Sequence, residues 1–159
     1  MPRNPLPALG RAIASRPLAM RAAPAIIRLE RLVRRLTRGK HGVLDIAGLP
    51  SIELTVAGRK SGLPRTVSLL YVPEGPETYL LVGSNWGRKE HPVWSVNLSA
   101  ADHAELHSGG ERFKVRVRRL EGGERAAAWQ RAVTYWPGYA MEARLAQPRE
   151  FRLYELTRL

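Results

Sequence analysis

The sequence predicts an α+β domain, a small and mostly antiparallel β-barrel with helices at its periphery. Three observations carry this. From residue 52 onward, short stretches of alternating apolar and polar residues follow one another, divided by turns rich in Gly and Pro. Helical periodicity is confined to a few segments, chiefly 25–38 and the alanine-rich 124–135. Strands that follow one another through tight turns pair antiparallel, since parallel pairs need long crossovers. The 159 residues suffice for one domain with a real core.

The elements follow in order. Residues 1–24 contain Pro2, Pro5, Pro7, Pro17 and Pro24, so they cannot form one long helix. A short helix fits over 8–15, and 1–7 reads as loose. From Ala25, the apolar Ile26, Leu29, Val33 and Leu36 recur at steps of three and four, the mark of an amphipathic helix. Arg28, Arg31, Arg35 and Arg38 line its other side, and Gly39 is its stop. Residues 41–50 form a linker. Ile52, Leu54 and Val56 then alternate with Glu53 and Thr55, a first strand. A glycine-flanked turn at 58–62 leads to a second strand over 66–72, and Pro73-Glu74-Gly75-Pro76 turns the chain into a third over 78–83. Residues 84–92 are a loop, and Pro92 suits the first turn of a helix over 93–100. Segments 104–107 and 111–120 form a hairpin around Ser108-Gly109-Gly110. In it Phe113, Val115 and Val117 alternate with Lys114, Arg116 and Arg118, so one face is buried and one is wet. A helix over 124–135 and a strand over 151–156 complete about six strands and three helices. We divide the chain into a basic N-terminal helical arm, residues 1–45, and a barrel domain, residues 46–159.

The net charge is +12. Residues 1–40 hold ten Lys/Arg and one acid, Glu30, which leaves sixteen Lys/Arg and thirteen acids for residues 41–159. The basicity therefore belongs mainly to the arm, which seeks an anionic partner such as a membrane surface or a nucleic acid. No aromatics interleave with the basic residues and no nucleic-acid motif occurs, which speaks against nucleic acid. There is no cysteine, hence no disulfide, no thiolate metal site and no cysteine nucleophile. The longest apolar run of the arm, 22–27, falls far short of the roughly 20 residues that span a bilayer. Arginines interrupt every candidate signal-peptide core. A cytoplasmic location is expected.

Three constellations carry chemistry. In Gly58-Arg59-Lys60-Ser61-Gly62 and the following Arg65 and Thr66, glycines let the backbone approach a ligand closely, while cations and hydroxyls suit an anion. A solvated basic hairpin turn has the same composition, and composition does not choose between the two. The loop Gly83-Ser84-Asn85-Trp86-Gly87-Arg88-Lys89-Glu90-His91-Pro92-Val93-Trp94 places polar donors, two tryptophans, cations and a histidine together, fit to cover a flat ring. A wet loop anchored by Trp94 is the plain alternative. Tyr135, Trp136 and Tyr139 around Pro137-Gly138 either wall an apolar pocket or cap the barrel. His103 and His107 lack a third ligand and read as surface histidines, so no metal is expected.

Taken in order, GRKSGLPRTVSLLYVPEG, YLLVGSNWGRKEHPVWSVNL, the Gly-Gly hairpin, WPGY and PREFRLYEL resemble the deazaflavin-dependent nitroreductase family, bacterial oxidoreductases best known in actinobacteria. The resemblance covers about residues 50–157. It implies a split β-barrel and coenzyme F420. It implies that Arg59, Lys60, Ser61, Arg65 and Thr66, beside Gly58, meet the phosphate and acidic tail of the cofactor. Ser84, Asn85, Trp86 and Gly87 would border the deazaflavin ring, with Lys89, His91, Pro92 and Trp94 fixing that loop. Trp136 and Tyr139 would shape the substrate pocket. The implied reaction is hydride transfer from the reduced cofactor to a quinone, nitroaromatic or similar small acceptor, with a proton from Tyr139 or from solvent. The chain departs from the family pattern at Trp136 and Glu142, where members can have Tyr, at Glu90, where a lysine often stands, and at Pro148, where Asp is frequent. The competing readings are a flavin mononucleotide (FMN) enzyme on the same barrel and a non-catalytic cofactor carrier. Some members are membrane-associated through the N-terminus, so residues 8–40 are expected either to lie on an anionic inner membrane surface or to pack on the barrel.

Overall fold

A computed structural model describes residues 21–38, 40–42 and 49–159. The short helix expected over 8–15, the loose 1–7, the stop at Gly39 and the boundary between residues 45 and 46 lie outside the described residues. The elements are α1 (Ala23–Leu36), β1 (Ser51–Ala57), β2 (Pro64–Leu70), β3 (Val72–Pro73), β4 (Thr78–Val82), α2 (Val93–Leu98), β5 (His103–Ser108), β6 (Glu111–Arg119), α3 (Gly122–Tyr135), α4 (Gly138–Ala146) and β7 (Leu153–Arg158). All strand pairs are antiparallel, in the order β2-β1-β5-β6-β7-β4-β3.

The two edge strands of this sheet are neighbours in sequence. Leu70 ends β2, Val72 begins β3, and only Tyr71 stands between. The Tyr71 amide still bonds back to the Pro50 carbonyl (3.3 Å) beside β1, while Val72 already pairs with Leu80 of β4. The sheet therefore curls until its edges meet at one corner, which makes the half-closed barrel. The single strand expected over 66–72 breaks there, which raises the count from six to seven.

The alternation predicted for β1 and β6 is present: Ile52, Leu54, Val56 and Val115 are buried inside the barrel, with Leu81, Leu106, Tyr154 and Leu156. Each such side chain contributes about 1.5–3 kcal/mol by leaving water. A second core lies on the outside, where Leu80, Val82 and Leu153 meet Ala128, Ala132 and Trp136 of the α3 region and Tyr139 and Ala146 of α4. β4 thus buries both faces, which is why Leu80-Leu81-Val82 reads as a continuous apolar run. α2 plugs the barrel: Leu98 is buried, and the Tyr154 hydroxyl donates to the Ser95 carbonyl (2.7 Å) and pairs with the Ser99 hydroxyl (2.6 Å).

Two elements depart from expectation. Helix α4 follows the Pro137-Gly138 turn where the sequence predicts no helix. Pro137 stands directly before its first turn, where a missing N–H costs nothing, and Pro148 follows its end. The inward face of α1 is also not the one predicted. Glu30 and Arg34 are buried, while Leu29, Leu32 and Leu36 are 49%, 53% and 75% exposed. Arg34 donates to Glu30 at 2.7 Å, four residues back, and to the Ser51 hydroxyl at 2.5 Å. A buried charge is tolerated when paired and hydrogen-bonded in this way. Those polar contacts, rather than the leucine stripe, fix how α1 sits.

Candidate active site

The turn after β1 is built by glycine. The Gly58 N–H donates to the Leu63 carbonyl (2.8 Å), and the Gly58 carbonyl accepts from the Gly62 N–H (2.7 Å). A Cβ on Gly58 would lie 2.7 Å from the Ser61 hydroxyl, which would have to turn away, and Gly62 (φ 69°) takes the left-handed conformation that closes the turn. The Ser61 hydroxyl accepts from Leu63 N–H (3.3 Å), and the Arg59 N–H donates to Asn97 of α2 (3.1 Å). Asn97 thereby anchors the turn to the barrel plug, and the Arg59 amide is already taken.

This turn forms one side of a surface groove of about 880 Å³. Gly58, Arg59, Lys60, Ser61, Arg65 and Thr66 line it on one side and Asn85, His91 and Trp94 on the other. The lining holds five cations, Arg31, Arg59, Lys60, Arg65 and Arg88, against one acid, Glu90. Such a one-sided surface attracts an anion before any specific contact forms. Burial, followed by the nearby Arg152 and Arg149, holds the His91 imidazole below its usual range, so it is neutral at pH 7.

Thr66, Asn85, Arg88 and Trp94 also wall a second cavity of about 730 Å³, so the two form one continuous depression. This inner chamber is mainly apolar, with Ile26, Leu69, Val82, Trp86 and Trp136 among its walls. Ser84, Tyr139 and Glu142 face it too. Burial pushes the Tyr139 phenol far above its ordinary value, and Glu142 and Tyr135 push it further in the same direction.

Between groove and chamber lies a short left-handed turn. Asn85 (φ 50°), Trp86 (φ 57°) and Gly87 (φ 72°) follow one another in the region that side chains disfavour. Such residues cost about 1–3 kcal/mol each where a side chain is present. Arg149 compensates. Its guanidinium donates to the carbonyls of Gly83 (2.8 Å), Ser84 (2.6 Å) and Arg88 (3.0 and 2.8 Å). The Asn85 amide donates to the Glu90 carbonyl (2.8 Å), and Lys89 donates to the Gln147 carbonyl. Gly87 is pressed under α4, where a Cβ would lie 3.0 Å from the Glu142 carbonyl.

The fold thus brings together nearly all the residues that the sequence singled out. Lys89 and Gly87 line neither cavity; they hold the loop. His107, expected at the surface, is buried and its Nδ1 lies 2.9 Å from Glu53, on the chamber wall. The arm is not a separate unit of charge, because Arg31, Arg34, Arg35 and Arg38 line the depression. Sequence reasoning missed Arg149 and these helix residues as parts of the site, and met Glu142 only as a departure at a position where a pocket tyrosine can stand. The signals were slight: an arginine after Gln147-Pro148, one acid in the otherwise apolar GYAM-E-A stretch, and the Glu30–Arg34 spacing that suits a helical ion pair.

The model of the F420H(2)-dependent quinone reductase family matches residues 26–148, from α1 through α4. The chain belongs to that family. It is a family of oxidoreductases whose cofactor is coenzyme F420. An F420H(2)-dependent quinone reductase of Mycobacterium tuberculosis (strain ATCC 25618 / H37Rv) is 33% identical over 118 residues, 73% of this chain and 78% of that protein. A solved F420-H2 dependent reductase is 31% identical with a TM-score of 0.60, covering 67% of this chain and 93% of its own. A second solved chain, described as a domain-swapped dimer, is 30% identical with a TM-score of 0.61 and covers 79% and 97%. The half-closed barrel of this chain is the split barrel of those reductases.

Proposed function

We propose that this chain is an F420H2-dependent reductase of quinone-type acceptors, with the cofactor's phosphate and acidic tail in the outer groove and the acceptor in the inner chamber. The observation that carries it is the continuity of a cationic groove with an apolar chamber across the Asn85–Gly87 turn. When bound, reduced F420 supplies the hydride. Arg59, Lys60 and Arg65 hold the anionic part, Arg as a fork and Lys as a point charge. Gly58 lets the turn backbone come close, and Ser61 and Thr66 offer hydroxyls. Ser84, Asn85 and Trp86 border the flat ring, positioned by Arg149, with His91 and Trp94 behind. Trp136 and Tyr139 wall the acceptor site and keep water out of it.

The test is a fluorescence titration of the purified protein with F420 and with FMN, followed by anaerobic oxidation of F420H2 with menadione. Tight F420 binding and quinone-dependent turnover are expected. Binding of FMN alone would favour the flavin enzyme, and F420 binding without turnover on any quinone or nitro compound would favour a carrier.

The exposed stripe of Leu29, Leu32 and Leu36 on α1, flanked by Arg28 and Arg35, favours a second reading, peripheral contact with an anionic membrane on its cytoplasmic face. No described helix is long and apolar enough to cross a membrane. Co-sedimentation with anionic vesicles tests this: loss on Leu32→Asp is expected, and equal sedimentation of both proteins would refute it.

A further inference from the structure

We propose that Glu142 is the acid that protonates the acceptor after hydride transfer in the inner chamber. This rests on the quinone-reductase reading above. Glu142 stands on α4, 7% exposed, and lines the chamber that Trp136 and Trp86 also wall. The Ser84 hydroxyl lies close enough to pull on its carboxyl, and its Oε2 has no hydrogen-bond partner among the described residues. A buried ionised oxygen without a donor is unfavourable, whereas a protonated one has an O–H to offer. Burial raises the pKa of this carboxyl from 4.5 to about 7, against the opposing pull of Ser84 and Arg149. At neutral pH the acid is therefore present in both forms, which suits a group that gives up a proton and regains it.

The chamber it faces is also lined by Arg31, Arg34, Arg35, Arg38, Arg88 and Arg112 and by Glu30, Glu53 and His107, while the groups next to it are fewer. Arg149 follows α4, Tyr139 lies on the same helix, and Tyr135 is on α3. Tyr139 is the competing donor. Its phenol is held far above its ordinary value and keeps its proton. The chemistry balances without a further reagent. A hydride added to a quinone carbonyl oxygen leaves the hydroquinone monoanion. The O–H bond of Glu142 breaks, a new O–H bond forms on that anion, and the carboxylate takes its next proton from water. Overall, two electrons and one proton reach the quinone as hydride, the second proton reaches it from water through Glu142, and the proton that the oxidised cofactor sheds goes to solvent.

The test uses the full chain, wild type and Glu142→Gln. F420 binding is followed by fluorescence, menadione reduction by stopped flow across neutral pH, and the carboxylic C=O stretch of the ligand-free protein by infrared. Three results are expected. Wild-type kcat falls as the pH rises through about 7. Glu142→Gln lowers kcat about 100-fold, removes that limb and leaves the F420 dissociation constant unchanged. A protonated carboxyl band survives in the ligand-free wild type at pH 6.5 or so and is absent from the variant. Wild-type turnover with the same pH limb in Glu142→Gln would overturn the proposal. So would an infrared titration in which every carboxyl ionises well below neutrality, a reading that stands even if the variant does not fold. Failure of the wild type to bind F420 would instead overturn the quinone-reductase reading, and the role of the acid with it.

Discussion

The outer groove and the inner chamber adjoin across seven shared wall residues, yet they are made by opposite means. The groove is a wet surface on which cations stand with little packed behind them; Arg59, Lys60 and Arg65 are all exposed. The chamber is cut into the second core. Trp136 and Tyr139 line it while packing against Val82, Ala132 and Leu153, and they are 7% and 5% exposed. A change in the groove should therefore alter affinity for an anion and leave the fold alone. A change in the chamber should cost stability as well as function.

The largest expected effect is on the chamber side. Trp136→Ala removes a buried aromatic and should lower stability by about 3–5 kcal/mol in denaturant unfolding. An unaltered midpoint would mean that Trp136 belongs to the site alone, and the contrast would break. Arg149→Ala comes next. It strips the carbonyls of Gly83, Ser84 and Arg88 of a shared charged donor, and we expect a loss of about 2–4 kcal/mol. Arg149→Lys, with one point donor in place of a planar fork, should recover only part of it.

The pH dependence of stability sharpens the same contrast. Glu142 has an ordinary value of 4.5 and is pushed up to about 7 in the fold. Between those values the folded state holds a proton that the unfolded state has shed. Stability therefore falls as the pH rises through that window and levels off above it, by at most about 3 kcal/mol. Urea unfolding of Glu142→Gln should lose that slope. The groove gives the smallest effects. Lys60→Ala should weaken F420 binding about fivefold at low salt, less at high salt, with the unfolding midpoint unchanged. Lys89→Ala should leave F420 affinity as it was, because its ammonium is turned to the Gln147 carbonyl. A large loss of affinity there would put Lys89 back among the ligand contacts.

The same contrast explains what could be read from the sequence. Apart from Arg31 of α1, groove residues come from two continuous segments, 58–67 and 85–97, so glycine, charge and aromatic signals stand side by side in the chain. The barrel strands were equally legible, since period-two alternation survives wherever one face is buried, as in β1 and β6. The chamber draws on α1, β2, β4, the 84–88 loop and α4, and no local pattern unites those. Glu142 is a single acid whose meaning depends on its burial. Helix α1 misled because a leucine stripe normally marks the inward face. Here an ion pair and one hydroxyl turn Glu30 and Arg34 inward instead, a tertiary choice that periodicity does not encode.

The curl of the sheet has a consequence for how the protein meets copies of itself. Open strand edges are templates for unwanted pairing. One edge, β3, is two residues long and ends in Pro73, which has no N–H to lend. The other, β2, runs seven residues from Pro64, and its Arg65, Thr66 and Val67 are walls of the groove. Whatever fills that groove also shields the longer of the two strand edges. A preparation stripped of its ligand would leave that seam open, and its tendency to associate in solution should track how full the groove is kept.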